Sequence, residues 1–177
     1  MKKIYVVLML LAVLFISSQV RAQQTFDSGT GRAQNVFVEL YGQGLLFSAN
    51  YDTRFSNKRD GIGGRVGIGY FAVDGNNLTT IPIGLNYLLG KGRNFFEVGL
   101  GATYLSAKLS GDDFFKSDNS DVTGSEIIGT MSFSYRLQPI NSGFALRAGF
   151  SPIFGNGFFI PYFPNFSLGY TFSGKHK

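Results

Sequence analysis

Charged side chains set among bulky apolar residues are the feature of this sequence most able to do chemistry. They occupy the small or polar positions of segments whose alternate residues are apolar. Burying a single charge costs several kcal/mol, so charges confined to one narrow interior must pair or be hydrated. The pattern predicts an interlocked set of ion pairs formed by Glu39, Asp52, Arg54, Arg65, Glu97, Arg136 and Arg147, and Glu126 fits the same pattern.

The segments that carry these charges alternate with a period of two. Ile81, Ile83, Leu85, Tyr87 and Leu89 are bulky and apolar, whereas the residues between them are mostly small or polar. The same rhythm returns over residues 97–104 and 165–172. This alternation predicts β-strands with two different faces, and its repetition along an exported chain predicts a transmembrane β-barrel.

Strands of about 10 residues fit the spacing of the turn-like segments. We expect them at Val36–Tyr41, Leu45–Phe55, Ile62–Phe71, Thr79–Leu89, Phe95–Ser106, Ser125–Leu137, Phe144–Ile153 and Phe163–Phe172. Only Gly42–Gly44 separates the first two, so a single bulged strand, with an odd strand count, is the alternative there. The sequence thus predicts an all-β, eight-stranded, antiparallel, up-and-down transmembrane β-barrel.

The connections indicate which end of this barrel faces outwards. Residues 56–61, 90–94 and 138–143 are short and turn-like, as periplasmic turns are, whereas the two longest connections, 107–124 and 154–162, fall at the opposite, extracellular end. In this orientation Arg54 and Arg136 lie near the periplasmic rim, and the other interior charges lie in the lower or middle barrel. They form a gate or a salt-bridged plug, and small barrels usually fill their interior with side chains, which favours the plug.

The N-terminal residues have the features of a cleaved secretory signal peptide. Lys2 and Lys3 precede an apolar run over residues 4–16, and Val20-Arg21-Ala22 places small residues where a signal peptidase reads them. The run is shorter than the roughly 20 residues of a membrane-spanning helix, which disfavours a retained helix. We expect a signal peptide at 1–22, a flexible periplasmic leader at 23–34, the barrel at 35–173 and a polar tail at 174–177.

Composition narrows the possible functions. Cleavage lowers the number of basic residues from 16 to 13, against 11 acidic ones, so the net charge falls from +5 to +2. A charge this close to neutral does not indicate a nucleic-acid-binding protein. The chain has no cysteine, which removes lipid anchoring at the N-terminus, disulfides and thiol chemistry. The only histidine, His176, follows the last strand, so the base that a serine nucleophile needs is missing from the barrel.

Cofactor and metal sites are also not expected. Carboxylate catalysis through Asp52 and Glu97 would be shut inside the barrel. Asp112, Asp113, Asp118 and Asp121 cluster in the longest loop, but the order of ligands found in calcium loops is missing and lysines are interspersed, which favours a solvated acidic loop. The glycines of residues 61–64 lack the lysine-serine pair of a phosphate-binding loop and serve instead to make space.

Aromatic residues in the extracellular connections carry the remaining functional signal. Phe114 and Phe115 lie in the longest loop, and Phe158 and Phe159 lie in the last one. Dense exposed aromatics mark contact with the outer leaflet, an apolar ligand or a partner protein, and a hairpin that simply extends the wall is the alternative.

We expect a non-enzymatic structural or surface-interaction protein of the outer membrane, with a narrow channel or an importer of a small or apolar ligand as the alternative function. The expected partners are outer-membrane lipid, the barrel-assembly machinery during insertion, and an unidentified surface ligand or protein.

Three stretches carry a resemblance to known proteins. Residues 39–55 (ELYGQGLLFSANYDTRF), 80–88 (TIPIGLNYL) and 97–101 (EVGLG) resemble the small outer-membrane β-barrel proteins of Bacteroidota, over nearly all of the chain after the signal peptide. The plan is also similar to that of OmpA and OmpX. The resemblance implies an outer-membrane location and a small barrel, without a shared reaction or ligand.

Overall fold

The computed structural model describes residues 31–73, 76–109 and 122–173. The expected signal peptide (1–22), the expected tail (174–177), Phe114, Phe115 and most of the expected leader (23–34) lie outside these residues. The described strands are β1 (Ala33–Tyr41), β2 (Phe47–Arg54), β3 (Gly61–Val73), β4 (Asn76–Lys91), β5 (Asn94–Leu109), β6 (Val122–Leu137), β7 (Gly143–Phe150), β8 (Ile153–Gly155), β9 (Phe158–Ile160) and β10 (Pro164–Ser173).

Eight of these strands form a closed antiparallel barrel. Each of β1 to β6 pairs with the next strand, β7 pairs with β10, and β10 pairs with β1 to close the cylinder. Strands β8 and β9 form a hairpin between β7 and β10, and β8 continues the ladder against β6. The predicted eight-stranded barrel is therefore confirmed.

The alternation of residue types explains the wall. Bulky apolar side chains point outwards and are exposed, including Val36, Val38, Leu40, Ile62, Val66, Ile68, Ile81, Ile83, Leu85, Leu100, Ile127, Leu146 and Leu168. The residues between them point inwards and are mostly small or polar. A continuous apolar outer surface of this kind is stable against lipid rather than water. Within the described ranges, no helix is long and apolar enough to cross a bilayer.

The two ends of the barrel differ. The end formed by the connections 55–60, 92–93 and 138–142 is called the turn end here, and the opposite one the loop end. Strands β5 and β6 pair as far as Leu109 and Val122, beyond the predicted limits, because a two-stranded ribbon continues above the barrel. The predicted single strand Phe144–Ile153 is interrupted at Ser151 and Pro152, and part of the predicted loop 154–162 is the β8–β9 hairpin.

The connection between β1 and β2 folds into the barrel. Gly42–Gly44 forms a short 3-10 turn, called the inward turn here, and all its residues are buried. Tyr41 (φ 59°) and Leu45 (φ 69°) flank it with positive φ, a conformation that costs a non-glycine residue free energy. The prediction of two strands separated by a turn is confirmed, and a single bulged strand is excluded.

Glycines make room for the large side chains of the interior. A Cβ at Gly63 would collide with the Arg54 guanidinium, and one at Gly149 would collide with the backbone of Phe133 and Ser134. The Cβ at Gly63 would also meet the backbone carbonyl of Thr53, and at Gly149 the main obstacle is the neighbouring strand itself. Glycine at 149 therefore allows β6 and β7 to approach each other.

We predict that Gly149→Ala destabilises the barrel by about 1–3 kcal/mol, because the added methyl overpacks the β6–β7 contact. The measurement is urea unfolding of the refolded protein in lipid vesicles, followed by circular dichroism. Gly124→Ala is the matched control, since a Cβ there meets nothing within 4 Å. Equal unfolding midpoints for the two variants would contradict the prediction.

Candidate functional site

Asp52 is the centre of a buried charge network in the middle of the barrel. Its Oδ2 accepts a hydrogen bond from Arg54 Nη2 at 2.7 Å, and its Oδ1 accepts two from Arg136 Nη1 and Nη2, each at 3.1 Å. Arg147 Nη2 lies 3.6 Å from the same Oδ1. Asp52 has no solvent exposure, so its negative charge is balanced entirely by these guanidiniums.

Glu97 joins the same network from the opposite wall. Its Oε2 lies 3.2 Å from Arg136 Nη1 and 3.3 Å from Arg147 Nε. Asn86 bridges the two carboxylates, because its Nδ2 donates to Asp52 Oδ2 at 2.6 Å and to Glu97 Oε1 at 3.1 Å. The Oδ1 of Asn86 accepts from Arg54 Nη2 at 2.5 Å. The network thus connects β2, β4, β5, β6 and β7 across the interior.

A second ion pair lies nearer the loop end. Arg65 donates from Nη2 to Glu39 Oε2 at 2.8 Å and from Nη1 to Oε1 at 3.2 Å, a bidentate arrangement. Its Nη2 also donates to Asn50 Oδ1 at 2.7 Å. Bidentate, charge-assisted pairs are the stronger class of hydrogen bond. Glu39 additionally accepts the backbone N–H of Gly44 at 3.4 Å, so this pair contacts the inward turn.

The network holds more cations than anions. Arginines 54, 65, 136 and 147 face the three carboxylates of Glu39, Asp52 and Glu97. The ring of Phe37 offsets part of this excess, since its centroid lies 3.8 Å from Arg147 Cζ and 5.1 Å from Arg65 Cζ. A desolvated guanidinium over an aromatic face is stabilised by the ring's quadrupole.

The inward turn closes the interior at the loop end. Thr103 Oγ1 donates to the carbonyl oxygen of Gln43 at 2.7 Å, and Thr80 Oγ1 donates to that of Gly44 at 3.0 Å. Gln43 is 2% exposed although it lies in a connection between strands. The inward turn therefore lies across the lumen above the charges.

Arg59 links the connections at the turn end. This residue of the β2–β3 turn donates from Nη1 to Gly92 O at 2.8 Å and from Nη2 to the carbonyl oxygens of Gln138 and Pro139. It thereby joins all three turns of that end. Its guanidinium also faces the Phe95 ring at 5.9 Å. Burial lowers the pKa of Arg59 from its usual value, and the nearby positive charges of Arg136 and Arg93 lower it further.

The structure brings the seven predicted interior charges into one region of the barrel. Arg54 and Arg136, expected near the periplasmic rim, lie at the turn end of β2 and β6, where both are fully buried against Asp52. Glu126 follows the same alternation but is exposed, since it lies on the ribbon above the barrel. The predicted loop residues Phe158 and Phe159 are exposed in β9.

Four residues of the barrel interior and its turn end were not predicted from the sequence. Asn50 and Asn86 are uncharged, and only their position among small inward-facing residues marked them as buried. Phe37 is a bulky residue on the inward face of β1, and this break in the alternation was the available signal. The role of Arg59 had no signal, because it depends on turns that are distant in sequence.

The fold has a counterpart among solved structures. The N-terminal β-barrel domain of Pseudomonas aeruginosa OprF superposes with a TM-score of 0.54 and 12% identity, over 81% of this chain and 98% of that one. The fold is that of a small outer-membrane barrel. Ail, the attachment invasion locus protein of Yersinia pestis, solved with the heparin analogue sucrose octasulfate, aligns with a TM-score of 0.41 and 14% identity, over 80% of this chain and 99% of that one.

Sequence similarity does not place the chain in a protein family. No protein-family model and no curated protein matches this sequence. Among residues 31–73, 76–109 and 122–173, no group of three or more histidine, cysteine or acidic side chains could hold a metal ion.

We predict that Asp52→Asn destabilises the barrel by about 3–5 kcal/mol, because it leaves buried guanidiniums without their central anion. The measurement is urea unfolding in lipid vesicles. The control is Glu126→Gln, which neutralises an exposed carboxylate and should change stability by less than about 0.5 kcal/mol. If Asp52→Asn unfolds at the wild-type urea concentration, the ion pairs do not stabilise the fold.

Proposed function

We propose that this chain is a non-enzymatic, non-conducting protein of the outer membrane, which acts as a structural or surface-interaction protein through its loop end. The observation that carries the proposal is the occupied lumen. Ion pairs fill the middle, the inward turn covers one end, and Arg59 covers the other. Small barrels of eight strands generally have interiors just wide enough for side chains.

An outer-membrane location is supported by the barrel's outer surface and by the fold comparison. Exposed apolar side chains surround the barrel, and aromatic residues cluster near both ends of the strands, as they do where barrels meet lipid headgroups. The turn end has only short connections, whereas the two longest connections, 110–121 and 151–163, lie at the other end, which matches periplasmic and extracellular ends in such proteins. The turn end is then periplasmic and the loop end extracellular.

Contact with partners is assigned to the loop end because that end carries exposed apolar side chains beyond the eight-stranded wall. Phe159 is 63% exposed and Tyr162 is 82% exposed. Exposed patches of this kind usually mark contact with a lipid surface, a ligand or a protein. The predicted contribution of Phe114 and Phe115 lies outside the described residues and stays part of the proposal.

The test is ion conductance across a planar bilayer that contains the refolded protein, with folding confirmed by altered gel mobility before and after boiling. We expect no reproducible conductance steps, because the ion pairs, the inward turn and Arg59 occupy the interior of a narrow barrel. A heat-denatured sample is the control for detergent and incomplete folding. Steady steps that change in amplitude with Arg147→Ala would contradict the proposal and support a channel.

A further inference from the structure

The wall at the loop end has a gap above the β1–β2 connection. Strand β9 pairs only with β8, and the segment Gly69–Val73 of β3 has ladder partners only on β4, among the described residues. Strands β1 and β2 would lie between these two edges, but they end at Tyr41 and Phe47 and their connection folds inwards. The gap is two strands wide, which is roughly 10 Å at the usual strand spacing.

The inner face of the remaining wall is apolar above the inward turn. Phe71 and Val73 share the pleat face of the buried Gly69, and Leu78 and Leu105 share the faces of Thr80 and Thr103, which contact the inward turn. Phe71 is 45% exposed and Val73 is 49% exposed. The bilayer cannot cover these side chains, since they face the barrel axis rather than the lipid.

The β8–β9 hairpin supplies the opposite side of this space. Ile153 is buried and pairs with the inward-facing Thr130, so Ile160, its partner on β9, faces inwards, and Phe158 two residues away does the same. Phe159 lies on the other face, because it pairs with Phe154, whose ring covers the outer side of Gly129. The two predicted contact residues of β9 therefore face different environments.

We propose that these side chains form a cup that binds the alkyl chain of a single-chain amphiphile entering from the outer leaflet through the gap. The cup consists of Phe71, Val73, Leu78, Leu105, Phe158 and Ile160, and the inward turn is its floor. This proposal rests on the outer-membrane location and on the extracellular loop end of the proposed function. It adds the class of ligand and the residues that bind it.

Continuity with the lipid-facing surface identifies the occupant. Tyr41 and Phe47 lie at the base of the gap, and Tyr70 and Tyr162 lie at its two sides, all of them exposed. Such aromatics mark the level of the lipid headgroups, so the gap opens where the outer leaflet begins. An alkyl chain that leaves that leaflet through the gap passes Tyr41 and Phe47 before it reaches the apolar side chains of the cup.

Charge favours a head group that is not anionic. Glu126 shares the pleat face of Ile128 and is the one charged side chain on the inner face above the inward turn, within the described residues. Its exposed carboxylate lies above the apolar side chains of the cup. A zwitterionic or cationic head group complements this charge, whereas an anionic one is repelled.

The test uses the refolded protein in lipid nanodiscs and a zwitterionic lysophospholipid with a photoreactive diazirine at the end of its alkyl chain. Irradiation and mass spectrometry of the cross-linked peptides locate the chain end. We expect saturable labelling of the peptides that carry Phe71 and Phe158, and competition by the same lysophospholipid without the diazirine. Unsaturable labelling, or labelling confined to outward-facing residues, would overturn the cup.

Phe158→Ser and Phe159→Ser form a matched pair of variants. Loss of one aromatic contact with the alkyl chain should weaken binding about tenfold in Phe158→Ser, whereas Phe159→Ser should keep the wild-type affinity, because its ring faces outwards. Equal affinities of the two variants for the lysophospholipid would overturn the proposal. That result is also expected if the unpaired edge of β9 binds a peptide strand through its backbone rather than an alkyl chain. If the protein conducts ions but the cup residues are still labelled saturably, only the proposed sealed lumen is contradicted. If the protein does not conduct and no saturable labelling is found, only the proposed binding site is overturned.

Discussion

The contact of Asp52 with three guanidiniums is the interaction on which the rest of the barrel depends. A carboxylate without solvent exposure must be balanced inside the protein, and Arg54, Arg136 and Arg147 come from β2, β6 and β7 to do so. Strands that are far apart around the wall are thus held across the lumen. The same contacts that stabilise the closed barrel also occupy the space through which a solute would pass.

Filling a narrow barrel with arginines requires space elsewhere. Glycines on the inward face provide it, and their absent side chains are replaced by guanidiniums and by the amides of Asn50 and Asn86. The inward turn completes the filling, since its carbonyl oxygens accept hydrogen bonds from Thr80 and Thr103. These hydrogen bonds offset the strained backbone of Tyr41 and Leu45. Folding the connection inwards also leaves the gap in the wall above it, so the proposed closed lumen and the proposed cup have one structural origin.

Local pattern predicted the barrel well because each strand carries its own alternation. The strand count and the inward position of the charges follow from residues that are neighbours in sequence. The direction of the inward turn does not, because it depends on threonines about 36 and 60 positions away. The opposite orientations of Phe158 and Phe159 could not be predicted either. The strand predicted over Phe144–Ile153 breaks at Ser151 and Pro152, and the residues after the break form the β8–β9 hairpin where a loop was expected. Pro152 was the available signal for that break, because proline lacks the N–H that a continuous ladder needs.

The most direct measurement of the sealed lumen is the reactivity of a single cysteine at position 43 toward a water-soluble maleimide. The chain contains no cysteine, so Gln43→Cys and the exposed hairpin position Asn156→Cys can be compared without background. The sealed barrel predicts that Gln43→Cys stays unlabelled over the time in which Asn156→Cys reacts to completion, and that both react after unfolding. Equal labelling rates in the folded protein would show that the inward turn is open to solvent, and would contradict a closed lumen.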